Sequence, residues 1–268
     1  MRYAIFIGCQ IPARLEAYEA GSRAVLSELG VALEEIPEFG CCGYPMRGTH
    51  RRAALLSAAR NLALAEEAGT GILALCKCCF GSLRHAAHAL GEDRGLLAEV
   101  NAELGREGLA YEGRAEVKHL LTVLHRDVGV ERIAERVTAP LSGVRVAAHY
   151  GCHALRPSAV TGFDDPADPT LFEELVAATG AVSVPWEERT RCCGAPVTAA
   201  NPVLAAETAG AKLAAALGAR ADHLCSACPY CHLQLRAMGE GALRGAEGGG
   251  PEVTLYPELL AKSFGIRL

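Results

Sequence analysis

Residues 2–9 of this chain read Arg-Tyr-Ala-Ile-Phe-Ile-Gly-Cys, and residues 145–152 read Arg-Val-Ala-Ala-His-Tyr-Gly-Cys. Residues 3–8 and 144–150 are mainly apolar and lead up to or into a glycine, a pattern typical of a buried strand. A cysteine, Cys9 or Cys152, follows each run. The sequence therefore predicts the same unit twice: a strand with a thiol just past its carboxyl end.

The cysteines repeat in the same order in both halves of the chain. Each half has a single cysteine, then a Cys-Cys-Gly-x-Pro motif, then a Cys-x-x-Cys motif, and two further cysteines lie outside this pattern. The two sets are Cys9, Cys41, Cys42, Cys76 and Cys79, then Cys152, Cys192, Cys193, Cys228 and Cys231. A repeat of about half the chain indicates two similar domains rather than a solenoid, whose repeats are roughly 20 to 50 residues long.

Helical patterns lie between the predicted strands. Residues 52–68 are rich in Ala and Leu and end before Gly69, and residues 170–179 end at Gly180; a glycine in this position is a common helix stop. Asn201 and Pro202 provide a capping residue and a first-turn proline for another helix. Two more strands are expected before the Cys-x-x-Cys motifs, at residues 71–75 and 221–224.

Alternation of strands and helices predicts an α/β fold. We expect two pseudo-symmetric Rossmann-like domains, residues 1–140 and 141–268, each a mostly parallel sheet with flanking helices. The link is expected near residues 136–143, where polar residues, a proline and a glycine interrupt the periodicity. Ligands of such sheets collect at the carboxyl ends of the strands. The five thiols of each half are therefore expected to converge at one sheet edge.

Composition excludes several classes of function. A net charge of −5 without a cluster of Lys and Arg argues against nucleic-acid binding. The first residues are too few and too quickly interrupted for a signal peptide, and no apolar run approaches the roughly 18 residues that span a bilayer. We therefore expect a protein of the reducing cytoplasm, without membrane insertion. Residues 245–250 are glycine-rich and predict a flexible surface loop.

Thiolates at these spacings indicate a soft metal centre: zinc, copper(I) or an iron-sulfur cluster. A structural zinc site and an ordinary cubane cluster each take four ligands, whereas each set here has five thiols. Adjacent cysteines are poor disulfide partners because the bridge strains the peptide between them. The following Gly and Pro suit a sharp turn whose amide N–H groups approach sulfur.

The two cysteine sets resemble the paired CCG-domain signature of the B subunit of heterodisulfide reductase. The resemblance covers nearly the whole chain and includes Gly151-Cys152-His153 and Cys228-Pro229-Tyr230-Cys231-His232-Leu233-Gln234. It implies that each CCG unit binds a noncubane [4Fe-4S] cluster through its five cysteines, giving two clusters. It further implies that these clusters cleave a small-molecule disulfide reductively, together with a ferredoxin-like iron-sulfur subunit and a flavin subunit.

The chain agrees with a need for such electron donors. It has no Gly-x-Gly-x-x-Gly motif after a strand and no complete ferredoxin-type cysteine string. Three hypotheses stay open. The first is a disulfide-reducing or thiol-oxidising subunit. The second is an electron-transfer subunit of a quinone-linked or lactate- or glycolate-oxidising system. The third is an interaction subunit stabilised by zinc, and zinc in only one of the two sites is a further possibility.

Five further residues are candidates with alternative interpretations. Cys78 and Cys225 lie inside or just before the Cys-x-x-Cys motifs, so each is either a ligand or a buried spare thiol. His153 and His232 directly follow cysteines of the two sets. Each either donates a proton to a departing thiolate or is a structural histidine. Lys212, on a helix of Ala and Leu, either attracts an anionic substrate or is simply exposed.

Overall fold

The computed structural model describes residues 1–242 and 250–268, so the predicted glycine-rich loop lies outside the described residues except for Gly250. Within these described residues, eight strands form two sheets. They are β1 (Arg2–Phe6), β2 (Ala32–Glu34), β3 (Gly71–Ala74), β4 (Val117–His119), β5 (Arg145–His149), β6 (Val182–Ser183), β7 (His223–Ser226) and β8 (Glu252–Leu255). The order is β2-β1-β3-β4 in one sheet and β6-β5-β7-β8 in the other, and every neighbouring pair is parallel.

Helices connect the strands and cover the sheets. They are α1 (Gln10–Arg14), α2 (Glu16–Glu28), α3 (Arg51–Glu67), α4 (Lys77–Glu92), α5 (Arg94–Leu104), α6 (Leu120–Thr122), α7 (Val130–Glu135), α8 (Ser158–Thr161), α9 (Leu171–Ala178), α10 (Pro202–Gly218), α11 (Pro229–Ala242) and α12 (Tyr256–Ser263). A π-helical segment, Val123–Gly129, joins α6 to α7. Within the described part of the chain, no helix has both the length and the apolar character needed to cross a bilayer.

The predicted α/β fold with two pseudo-symmetric parallel sheets is confirmed. The helix expected over residues 52–68 is α3, and the Asn201 side chain accepts a hydrogen bond from the Leu204 amide (3.0 Å) at the start of α10. One strand is displaced. The strand expected at residues 221–224 is β7, which begins two residues later because Arg220 makes the turn with a φ of +55°. Cys225 therefore lies inside a strand.

The last helix of each half packs against a helix of the other half, which we call the helix exchange. Helix α12, at the end of the second half, packs against α2 of the first half, and α7 packs against α9 of the second half. The π-helical segment before α7 adds hydrogen bonds to the second half, from His125 Nε2 to Glu174 Oε2 (2.7 Å) and from the Arg126 guanidinium to the Phe163 carbonyl (2.7 Å). We retain a division near residue 140 as a proposal, with each unit completed by a helix of the other.

Candidate metal centres

The first site gathers the thiols of the first half around the carboxyl ends of β1 and β3. Cys9 follows β1, whereas Cys76 caps the start of α4 and Cys79 lies in its first turn. Cys9, Cys42, Cys76 and Cys79 line a pocket with an empty volume of about 260 Å³. Cys41 lies beside it, 3.4 Å from the amide nitrogen of Gly43. The sequence prediction that these five thiols converge agrees with this arrangement.

The second site repeats this arrangement around β5 and β7. Cys152, Cys193, Cys228 and Cys231 line a pocket with an empty volume of about 280 Å³. Cys192 lies beside this pocket, 3.4 Å from the amide nitrogen of Gly194. All twelve cysteines of the chain are free thiols, so neither set is held in disulfide bridges.

The Cys-Cys-Gly-x-Pro motif forms the same turn in both sites, and in both the glycine makes it possible. Gly43 and Gly194 have φ values of +80° and +88°, and each precedes a short 3-10 turn with a proline. A β-carbon would lie 2.3 Å from the Ala54 carbonyl oxygen at the first glycine and 2.6 Å from the Ala205 oxygen at the second. Only glycine fits a left-handed residue in such close contact with a helix backbone. The predicted sharp turn that aims an amide at sulfur is confirmed.

The two sites share a wall rather than lying apart. The Sγ atoms of Cys76 and Cys228 are 3.9 Å apart. Tyr44 and Tyr230 line both pockets, with their ring centroids 5.3 Å apart. The two sets of thiols thus form one continuous group that crosses the boundary between the halves.

Hydrogen bonds between thiols set the charge distribution. In the first site, hydrogen bonds donated mainly by Cys41 and secondly by Cys79 lower the pKa of Cys42 to about 3. In the second site, hydrogen bonds donated mainly by Cys152 and secondly by Cys193 lower the pKa of Cys192 to about 2. The donating thiols are affected in the opposite sense, and the hydrogen bond with Cys192 raises the pKa of Cys193 to about 12. Each site therefore holds stabilised thiolates among close sulfur neighbours, which is the donor set of a soft metal centre.

The two extra cysteines occupy different environments. Cys78 is buried but reaches across to the second pocket, where its Sγ lies 4.0 Å from Cys228 Sγ and 3.3 Å from Nδ1 of His153. Cys225 is fully buried in β7 and is not among the residues that line either pocket. The geometry thus places Cys78 at the thiol group and Cys225 in the core.

The three candidate catalytic residues are also dispersed. His153 lines the second pocket and lies between Cys78 and the Tyr44 hydroxyl, which is 3.5 Å from its Nε2. His232 is buried and faces the Thr254 backbone, and burial lowers its pKa to about 4. Lys212 is buried as well, so the expectation that it is exposed is wrong; its ammonium group donates to the Glu188 carbonyl.

Sequence reasoning missed two residues of the second site. Lys77 is fully buried, lines the second pocket and donates to the His149 carbonyl (3.0 Å). The His149 ring lies within 4.8 Å of the sulfur atoms of Cys193 and Cys231. A comparison of the two repeats could have identified both residues. Lys77 aligns with Pro229, and His149 aligns with Phe6, so each is a polar or charged residue that its repeat lacks.

Comparison with known proteins places the chain among cysteine-rich domains. The family model described as CCG, cysteine-rich domain, matches residues 3–84 and 146–236. The B subunit of a ferredoxin/F(420)H(2)-dependent CoB-CoM heterodisulfide reductase from Methanosarcina acetivorans is 34% identical over 98% of this chain and 89% of its own length. An 8-methylmenaquinol:fumarate reductase membrane anchor subunit of Wolinella succinogenes is 35% identical over 90% of this chain and 84% of its own length.

A solved structure shows the same fold. A hypothetical protein from Helicobacter pylori aligns with 100% of this chain at a TM-score of 0.76 and 16% sequence identity. This chain spans 49% of that protein's length, and at this identity the likeness concerns the fold alone.

Proposed function

The chain belongs to the family of heterodisulfide reductase B subunits, and we propose that it is the subunit at which a small-molecule disulfide is reduced, or two thiols are oxidised, on iron-sulfur clusters. The family membership makes it an iron-sulfur subunit of a heterodisulfide reductase-like complex. The disulfide chemistry rests on one observation: the two five-cysteine sites meet at Cys76 and Cys228, 3.9 Å apart.

The thiols suit iron-sulfur clusters better than zinc. Four cysteines of each set line its pocket, and the fifth, Cys41 or Cys192, hydrogen-bonds to a neighbouring thiol of the same set. All are free thiols, whereas a structural zinc ion closes its shell with four ligands. The proposed ligands of two noncubane [4Fe-4S] clusters are Cys9, Cys41, Cys42, Cys76 and Cys79 in the first site, and Cys152, Cys192, Cys193, Cys228 and Cys231 in the second. When bound, such clusters supply one-electron transfer and iron atoms with affinity for sulfur.

The shared wall explains why two sites serve one disulfide. The sulfur atoms of a disulfide are about 2 Å apart, so both must be held in one place when the bond breaks. Tyr44 and Tyr230 line both pockets, and their rings contact each other where the pockets meet. These two side chains can therefore orient one substrate toward both sites at once.

Reduction of the disulfide needs two electrons and two protons. The S–S bond breaks, each sulfur gains one electron, and protonation then gives two thiols. We assign proton delivery to His153, because one ring nitrogen faces Cys78 Sγ (3.3 Å) and the other faces the Tyr44 hydroxyl (3.5 Å). Burial lowers the pKa of His153, so the neutral ring has one N–H to give and one nitrogen to receive a proton.

His232 and Lys212 take no direct part in this proposal. Neither is among the residues that line the two pockets. The electrons come from partner proteins, for which the family resemblance implies a ferredoxin-like iron-sulfur subunit and a flavin subunit. In the reverse direction, two thiols release two protons and pass two electrons to the same partners.

Metal analysis followed by spectroscopy tests the function. Protein purified without oxygen should contain iron and acid-labile sulfide in amounts that correspond to two clusters. Predominant zinc would instead favour the interaction subunit. The oxidised protein should then change its EPR spectrum when a substrate thiol is added. If iron is present but no thiol or disulfide alters the spectrum, the electron-transfer alternative replaces the disulfide reaction, as the quinol-linked relative from Wolinella succinogenes would suggest.

A further inference from the structure

The two sites have matching thiols but different buried neighbours. When the repeats are aligned through their cysteines, several positions around the sites differ in chemical type, and at three of them the second site has a buried polar or charged side chain. These three lie at the last residue of the first strand, at the first residue of the helix that carries Cys-x-x-Cys, and on the helix that supports the Cys-Cys turn. The pairs, first site against second, are Phe6 and His149, Pro229 and Lys77, and Asn61 and Lys212.

Lys212 places a positive charge behind the second site. Its ammonium group is buried, lies 5.0 Å from the Trp186 ring centroid and donates to the Glu188 carbonyl. Burial lowers its pKa to about 8, opposed first by Glu188 and then by the sulfur groups of Cys231 and Cys193. A lysine with this pKa is mostly protonated at neutral pH. The corresponding Asn61 is neutral and bonds only to backbone groups.

Lys77 belongs to the first half but serves the second site. It is the first residue of α4, lines the second pocket and lies 5.0 Å from the Phe172 ring centroid. Cys228 and Cys231 of the second set line the same pocket as Lys77. Its counterpart Pro229 lines the first pocket and carries neither a charge nor an N–H.

His149 adds a polar group on the same side. Both ring nitrogens are buried, and neither has a hydrogen-bond partner among the described residues. The ring lies within 4.8 Å of the sulfur atoms of Cys193 and Cys231. An imidazole N–H directed at sulfur withdraws electron density from it. The counterpart Phe6 is buried against Phe39 and offers no such donor.

The buried charge of the described residues is therefore concentrated on one side. Burial is described for the side chains of residues 1–238 and 250–268. Among these, Lys77 and Lys212 are the only buried Lys, Arg, Asp or Glu side chains. A cluster becomes more negative when it takes up an electron. Positive charge and N–H donors nearby, in a low dielectric, stabilise that reduced form.

We propose that the second site, built on Cys152, Cys192, Cys193, Cys228 and Cys231, holds the cluster with the higher reduction potential, because Lys77, His149 and Lys212 surround it. This inference rests on the proposed function, in that both sites must hold iron-sulfur clusters. An electron shared between the two sites would then reside mainly on the second, and the first would be the stronger reductant.

A redox titration tests the inference. Iron and sulfide are assayed first, and the anaerobic protein is then titrated with dithionite, which is oxidised as each cluster takes up one electron, while EPR follows both clusters. Two midpoint potentials are expected. Lys212→Asn, which introduces the residue of the first site, should weaken reduction of the higher-potential cluster at least tenfold, about 59 mV for one electron. The lower midpoint should not move.

Matched variants separate charge from structure. Lys212→Arg should keep both midpoints close to the wild-type values. Lys262→Asn, the same change at an exposed lysine of α12, should also leave both unchanged. If Lys212→Asn fails to hold two clusters, His149→Phe should lower the same, higher midpoint.

The possible failures can be told apart. Wild-type protein without iron and sulfide would overturn both the function and this inference. Iron-loaded protein with one common midpoint, or a Lys212→Asn variant that shifts the lower midpoint, would overturn this inference alone.

Discussion

The Sγ atoms of Cys76 and Cys228 lie 3.9 Å apart, although 152 residues separate them in the chain. Each follows the second central strand of its sheet, so the carboxyl ends of the two sheets face each other. A metal centre held by one set of cysteines would thus lie beside the cysteines of the other set. A change at one site should therefore be detectable at both.

Loss of one ligand should empty one site and simplify the spectrum. We expect Cys193→Ser to lower the iron content by about half and to remove magnetic interaction between two neighbouring paramagnetic clusters. Iron assay and EPR line shape measure both effects. Cys225→Ser is the matched control, because that thiol lies in β7 away from the pockets. If the Cys225 change removed as much iron as the Cys193 change, the ligand assignment would be wrong.

The Cys-Cys-Gly turn should tolerate no side chain. Gly43→Ala forces a φ of +80° on alanine and brings its β-carbon to 2.3 Å from the Ala54 carbonyl oxygen. The left-handed conformation alone costs roughly 1 to 3 kcal/mol, and the contact adds to it. We expect a lower free energy of unfolding and loss of iron from the first site. Gly48→Ala, where a β-carbon meets nothing within 4 Å, should change neither.

Cys78 should matter for substrate rather than for cluster binding. Its Sγ faces Cys228 and His153 from the first half of the chain. We expect Cys78→Ser to keep the full iron content but to alter the EPR change that a substrate thiol produces. Iron loss in this variant would show instead that Cys78 is a ligand and would displace one of the five proposed for a site.

His119 should make the protein sensitive to acid. Its Nε2–H donates to the Ala227 carbonyl across the two halves (3.1 Å), and burial lowers its pKa from 6.5 to about 3. The unfolded chain binds the proton more tightly, so this contribution is complete above pH 6.5 and is lost as the pH falls toward 3. Between pH 6.5 and pH 3 the free energy of unfolding should fall by on the order of 4 kcal/mol from this histidine.

Glutamine isolates this effect, because its amide keeps an N–H donor without titrating. Denaturant unfolding of anaerobic protein at several pH values should show a smaller loss of stability for His119→Gln than for wild type. His88→Gln, at an exposed histidine, controls for the substitution. Equal losses for His119→Gln and wild type would contradict the prediction.

The central strands and thiol sites were predictable because local patterns specify them. Apolar runs before Cys9 and Cys152 mark β1 and β5, and the Cys-Cys-Gly-x-Pro motif contains the one glycine that its turn requires. The parallel order follows from the helices between the strands. Cys225 shows how far such patterns reach: the sequence allowed either a ligand or a buried spare thiol, and its position inside β7 places it in the core.

Contacts between the halves were not predictable from these patterns. Lys77 follows Cys76 of the first set, yet its side chain reaches the second site, because the carboxyl ends of the two sheets face each other. Lys212 is surrounded in sequence by Ala and Leu and resembles an exposed residue until its partner at Glu188 is seen. Such positions depend on tertiary packing, and their only trace in the sequence is a mismatch between the repeats.

The helix exchange between the halves has an evolutionary consequence. If the gene were split at residue 140, each product would carry a helix that packs against a helix of the other product, α12 against α2 and α7 against α9. The two polypeptides would have to be translated and inherited together. A duplicated ancestor that gained these contacts would therefore remain a single polypeptide. Its two halves could still diverge in the charges around their sites.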